Sequence, residues 1–97
     1  MDESEFPWVD VLKVRGLAGH RLWARFSDGC EGTLDLSSYI NRGGSAVAPL
    51  RDQAYFERVF VEMGVPVWPN HFDMDATNLY VEMRKAGTLV DTAAAAE

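Results

Sequence analysis

The sequence predicts an α+β domain: a small antiparallel β-meander plus a second short strand pair with two short helices. Three observations carry this. Residues 20–26 alternate, with Leu22, Ala24 and Phe26 on one face and Arg21, Trp23 and Arg25 on the other, the period of a half-buried strand. Gly, Pro, Asn and Asp interrupt the chain often enough to keep every element short. Behind Asp52 and behind Asp73 or Asp75, apolar residues recur at helical spacing. The 97 residues, 47% apolar and 25% charged, are ordinary for one globular domain. Area scaling has a chain of this size burying roughly 65% of its surface, enough for a core without metal or disulfide staples.

Taken in order, residues 1–7 are an acidic lead, expected to be flexible, and residues 8–87 form the single domain. Residues 88–97 are expected to be a flexible alanine-rich tail. Residues 8–14, rich in Val and large apolar side chains, predict a first strand, with a bulge where Val11 and Leu12 are adjacent. Gly16 and Gly19 then bracket a turn. The next hairpin is decided by face matching. A two-residue loop pairs Phe26 with Glu31 and mixes apolar with charged side chains. A three-residue loop, Ser27-Asp28-Gly29 with Gly29 left-handed, pairs Phe26 with Cys30 and Leu22 with Leu34. It also sets Arg25 opposite Glu31 and Arg21 opposite Asp35.

Residues 37–48 read as loop around Asn41-Arg42-Gly43-Gly44-Ser45. Asp52 caps a short helix whose Tyr55, Phe56 and Val59 face the core. Residues 60–63 and 65–68 make the second strand pair around Gly64. Asp73 or Asp75 caps the last helix, Arg84 and Lys85 favour its C-terminal end, and Gly87 stops it.

Charge and cysteine content exclude several function classes. Nine basic against fifteen acidic residues give a net charge of −6, which argues against a broad nucleic-acid footprint. Cys30, the single cysteine, cannot form an internal disulfide and suits a reducing cytoplasm. No apolar run approaches a membrane span, and the acidic start is no signal peptide. No catalytic constellation emerges, so no catalytic residue, metal ligand or cofactor is assigned and the chain is expected not to be an enzyme. His71, Asp73 and Asp75 are explained by a turn and a helix cap without an ion. His20 sits at a hairpin tip without a local partner, and Cys30 lies inward beside Phe26 as a small hydrophobe.

Two features stand out against that background. Residues 11–25 hold Lys13, Arg15, Arg21 and Arg25 and no acid. If Lys13 and Arg15 share the outer face, Arg21, Trp23 and Arg25 complete a partner-binding candidate, the plainer alternative being a solvated sheet face. Trp68, Asn70, Asp73 and Tyr80 have the amphipathic mixture of a small-molecule pocket, although Trp68 is also the natural core residue of its strand.

The chain resembles a small prokaryotic domain-of-unknown-function family over roughly residues 9–82. The resemblance is carried by Phe26-Ser27-Asp28-Gly29, Leu34-Asp35-Leu36, Pro49-Leu50-Arg51-Asp52 with Phe56, Trp68-Pro69-Asn70 with Asp73, and Leu79-Tyr80. It implies a compact α+β domain without assigned activity or catalytic residues, stand-alone or fused to helix-turn-helix domains. Neighbouring small genes imply an antitoxin-like or partner-binding role. Two departures matter: His71 replaces the usual glycine, so that turn is expected to change, and no helix-turn-helix follows Tyr80.

The function expected is therefore a non-catalytic protein–protein interaction module with a small basic protein partner, without direct DNA binding or membrane contact. Pairing with a second copy is left open by the edge strands. The alternative is a ligand-sensing or regulatory accessory domain.

Overall fold

The computed structural model describes residues 8–92. Its elements run β1 (Val11–Leu17), β2 (Arg21–Phe26), β3 (Cys30–Asp35), α1 (Ser37–Arg42), a 3-10 turn (Ala48–Arg51), α2 (Gln53–Phe56), β4 (Phe60–Glu62), β5 (Val65–Val67), α3 (Ala76–Ala86) and β6 (Val90–Asp91). One antiparallel sheet has the order β1-β2-β3-β6, and β4-β5 is a separate hairpin. This is the α+β architecture that the sequence predicts, with one more strand and one more helix. The lead over residues 1–7 and the last residues of the tail, 93–97, lie outside the described residues.

The β2–β3 register is the one that face matching selects: Arg21↔Asp35, Leu22↔Leu34, Trp23↔Thr33, Ala24↔Gly32, Arg25↔Glu31. Gly29 has φ +92° and donates its N–H to the Phe26 carbonyl at 3.1 Å, which closes the three-residue loop. The bulge also forms, as the β1–β2 register shifts between Val11 and Lys13.

Four expectations need correction. Gly16 lies within β1, opposite Leu22, and not in a turn. A Cβ there would stand 2.8 Å from the Glu57 Cα, so the glycine lets α2 approach the strand closely. The segment expected as loop contains α1, whose Ile40 is 1% exposed; burial of that side chain stabilises a helix whose N-cap residue, Leu36, has no capping side chain. The folded unit also extends beyond Gly87, because β6 pairs Val90 with Glu31 and Asp91 with Cys30. His20 is half-buried, its ring bonded through Nε2 to the Arg51 carbonyl at 2.9 Å and set edge-on to Phe56.

The core lies between the inner face of the meander and the helices. Leu22, Ala24, Phe26, Phe56, Trp68, Leu79 and Met83 are all 0% exposed. Asp52 caps α2 by accepting from the Ala54 N–H at 3.1 Å, and Asp75 caps α3 by accepting from the Asn78 N–H at 2.8 Å. Gly87, left-handed at φ +77°, ends α3.

The turn at His71 keeps the conformation that a glycine would favour. His71 has φ +70° and donates its N–H to the Trp68 carbonyl, while the Trp68 N–H bonds the Phe72 carbonyl. This is a three-residue loop with its last residue left-handed, the geometry that Gly29 adopts without strain. The expected change of turn does not occur. His71→Gly should therefore raise stability by about 0.5–1 kcal/mol, read as a higher urea midpoint at unchanged slope. An unchanged or lower midpoint would refute the strain argument.

Candidate functional site

The outer face of the meander is assembled by register alone. Lys13 stands opposite Arg25, Arg15 opposite Trp23, and Leu17 opposite Arg21. Across the second ladder, Arg25 meets Glu31, Trp23 meets Thr33, and Arg21 meets Asp35. Because successive side chains alternate between faces, Lys13, Arg15, Arg21, Trp23 and Arg25 all stand on the side away from the core. The four cations are exposed and Trp23 is half-buried among them.

The carboxylates of this face are engaged by neutral donors. Glu31 accepts from the Trp23 indole Nε1 at 3.0 Å, which fixes the ring. Asp35 accepts from the Ser37 N–H at 2.9 Å and the Ser37 hydroxyl at 2.7 Å. Those two bonds, the backbone one first, hold its carboxyl below the usual carboxylate range, with a smaller pull from Arg21. Arg21 Nε donates to the Ala18 carbonyl at 3.0 Å, and the Arg15 guanidinium lies 5.9 Å from the centre of the Trp23 ring. Among the described residues, no ion pair joins any of the four cations to a carboxylate. Their charge is presented to solvent around one aromatic ring.

The four residues named as a pocket do not meet around one cavity. Trp68 is fully buried and donates its indole N–H to the Phe56 carbonyl at 2.9 Å. Tyr80 is 8% exposed and donates to Asp28 at 2.8 Å. Asn70 fastens its turn to the Ala46 carbonyl at 2.9 Å. Asp73 lines a cavity of about 350 Å³, shared with Asp35, Tyr39, Arg42, Asn78 and Glu82 between α1 and α3, whose lining includes none of the other three. This cavity is not legible from the residues alone, since α1 is one of its walls.

Chemistry at the remaining candidates is subdued. Burial pushes the Cys30 thiol up, and burial followed by the bond to Asp28 pushes the Tyr80 hydroxyl up, so both hold their protons at neutral pH. Among the described residues, no group of three or more His, Cys, Asp or Glu side chains is placed to hold a metal ion, and no helix is long and apolar enough to cross a membrane.

Comparison with known proteins adds three findings. A family model described as protein of unknown function (DUF2442) matches residues 11–85. None of the curated proteins matches the chain. Among solved structures, a protein of Nitrosomonas europaea described as a "putative DNA binding protein" is similar at 26% identity and a TM-score of 0.66, over 90% of this chain and 56% of that one. This neighbour overturns the expectation of no direct DNA binding, and the small basic partner inferred from the same charge balance goes with it. The physical reason is plain. Net charge is a sum over the chain and is blind to four cations gathered on one sheet face.

Proposed function

We propose, from the premise that this chain belongs to the DUF2442 family, that it is a non-catalytic binding module whose working face is the outer side of the meander and whose partner is DNA. The observation that carries the reading is the strand register that collects Lys13, Arg15, Arg21 and Arg25 around Trp23. The description of the Nitrosomonas europaea neighbour supports the choice of partner. An antitoxin-like role fits this reading as action by occupancy and not by bond-making, in a cytoplasmic setting that also suits the lone Cys30. Ligand sensing has weaker support, because it would move to the cavity between α1 and α3 with Asp73 alone carried over.

Titration of a labelled oligonucleotide by fluorescence anisotropy at several salt concentrations tests the proposal. Four phosphate contacts make log K fall against log salt with a slope of about −3 to −4. Replacing two cations, Arg15→Glu with Arg25→Glu, should weaken binding at least ~10-fold at low salt and flatten the slope by about 2, with the melting temperature little changed. Both side chains are exposed, so the change costs the fold little. Equal affinity of the two proteins, or no binding by either, sinks the reading.

A further inference from the structure

Beside Trp23 the outer face is not flat. A shallow trough of about 490 Å³ lies over β3, walled by Trp23 on the β2 side, by Glu31 and Thr33, and by Thr88, Val90 and Thr92 on the β6 side. The Trp23 ring therefore has the Arg15 guanidinium on its β1 side and open space toward β3 and β6. The hydroxyls of Thr88 and Thr92 are already donated to the carbonyls of Met83 and Gly29. Val90, 53% exposed, supplies an apolar floor where a soluble sheet more often carries a polar side chain.

These features suit a flat aromatic guest more than a groove edge. Four strands at roughly 4.8 Å spacing span on the order of 14 Å, wider than the ~12 Å major groove of a duplex. No helix among the described residues stands on this face to enter a groove in its place, since α3 puts Leu79 and Met83 into the core. A duplex also keeps its bases inside, out of reach of Trp23. An unpaired base has a free face to lay against the indole, and its flanking phosphates can meet Arg15, Arg21, Arg25 and Lys13. With Thr88 and Thr92 occupied, few groups are left to distinguish one base from another, so the trough is tolerant of base identity.

We propose that the trough beside Trp23 holds an unpaired base by stacking, so that the DNA bound by this face is single-stranded; the inference rests on the DNA-binding reading of the same face. The experiment compares an oligo-dT strand, an abasic strand of equal length and a duplex of equal length, each end-labelled and titrated with the full chain by anisotropy, with the tryptophan fluorescence of the wild type followed in parallel. Oligo-dT should quench the fluorescence and bind at least ~10-fold more tightly than the abasic strand, the order of effect that one base–aromatic stack contributes. Trp23→Phe should keep that preference and Trp23→Ala should lose it. Thr33→Ile, a strand-compatible residue that narrows the trough while leaving all four cations in place, should lose it as well, which keeps the test valid if Trp23→Ala unfolds. If abasic strand and duplex bind as tightly as oligo-dT with the same salt slope, base stacking is wrong and the cationic face stands. If no strand binds even at low salt, the reading of the face itself has failed.

Discussion

Trp68→Ala should lower the stability of the domain by about 3–5 kcal/mol, the range for removing a large aromatic from a core that cannot collapse around the gap. Trp68 is 0% exposed and its ring lies 5.8 Å from those of both Phe56 and Phe72. The substitution does two things at once: it opens a cavity, and it strips the Phe56 carbonyl of the indole N–H that meets it at 2.9 Å. Trp68→Phe separates them, since it keeps most of the volume and loses only the donor. It should cost the smaller share, nearer 1–2 kcal/mol. Urea denaturation read by circular dichroism gives both values. A domain this small has only about 5–15 kcal/mol in hand, so Trp68→Ala should sit near the edge of folding at body temperature. A loss below ~1 kcal/mol for Trp68→Ala would mean that the tryptophan is not the keystone its burial makes it.

The second large effect centres on Asp28, in the loop between β2 and β3. Its carboxylate accepts the Tyr80 hydroxyl at 2.8 Å and the Cys30 N–H at 3.0 Å, so one loop residue ties the meander to α3. Asp28→Ala leaves both donors without that partner and should cost about 2–4 kcal/mol. The same contact gives stability an alkaline limb. Burial first, and the bond to Asp28 next, raise the Tyr80 pKa above its ordinary 10.0. A raised pKa means that the folded state holds the proton more firmly than the unfolded one. The contribution is therefore complete below pH 10.0 and is lost as pH climbs beyond it, where the unfolded tyrosine ionises first. Urea midpoints measured across that range should fall for the wild type and fall less for Tyr80→Phe. Parallel curves for the two proteins would contradict the assignment.

The sequence disclosed most of the fold wherever one strand face had to be apolar. Leu22, Ala24 and Phe26 left a single acceptable register for β2 and β3, and that register is present. Caps were legible for the same local reason: Asp52 stands where a backbone N–H needs an acceptor, and of the pair Asp73 and Asp75 the structure selects Asp75. What escaped was settled by distant parts of the chain. Gly16 looks like turn material until α2 is seen to press on it. α1 has a leucine at its N-cap position and runs into Gly43-Gly44, so the usual local signals do not announce the helix that Ile40 anchors. β6 is two residues long, too short for any period to register.

The candidate face was half legible. Arg21, Trp23 and Arg25 shared a face by parity, but only the register shift at Leu12 decides that Lys13 and Arg15 join them. The trough was not legible, because Val90 and Thr92 arrive from β6 and its end. The four pocket residues, close in sequence, are drawn to different places by the fold. Trp68 and Tyr80 were needed in the core, and Asn70 in the turn that positions them.

The short strand that closes the sheet has one more consequence. An open strand margin is a template, and any chain with spare N–H and C=O groups can lengthen the ladder and seed ordered deposits. Here β6 takes up the first part of β3, and the Thr92 N–H meets the Gly29 carbonyl at 3.1 Å. On the far margin the Val11 N–H is held by the Gly64 carbonyl at 2.8 Å, where the β4–β5 hairpin abuts β1. At these residues the ladder has a stop at both ends, built from a few residues each. Blunted at these residues, the molecule offers its copies a shorter open margin at which to begin stacking, while its broad sheet face stays uncovered.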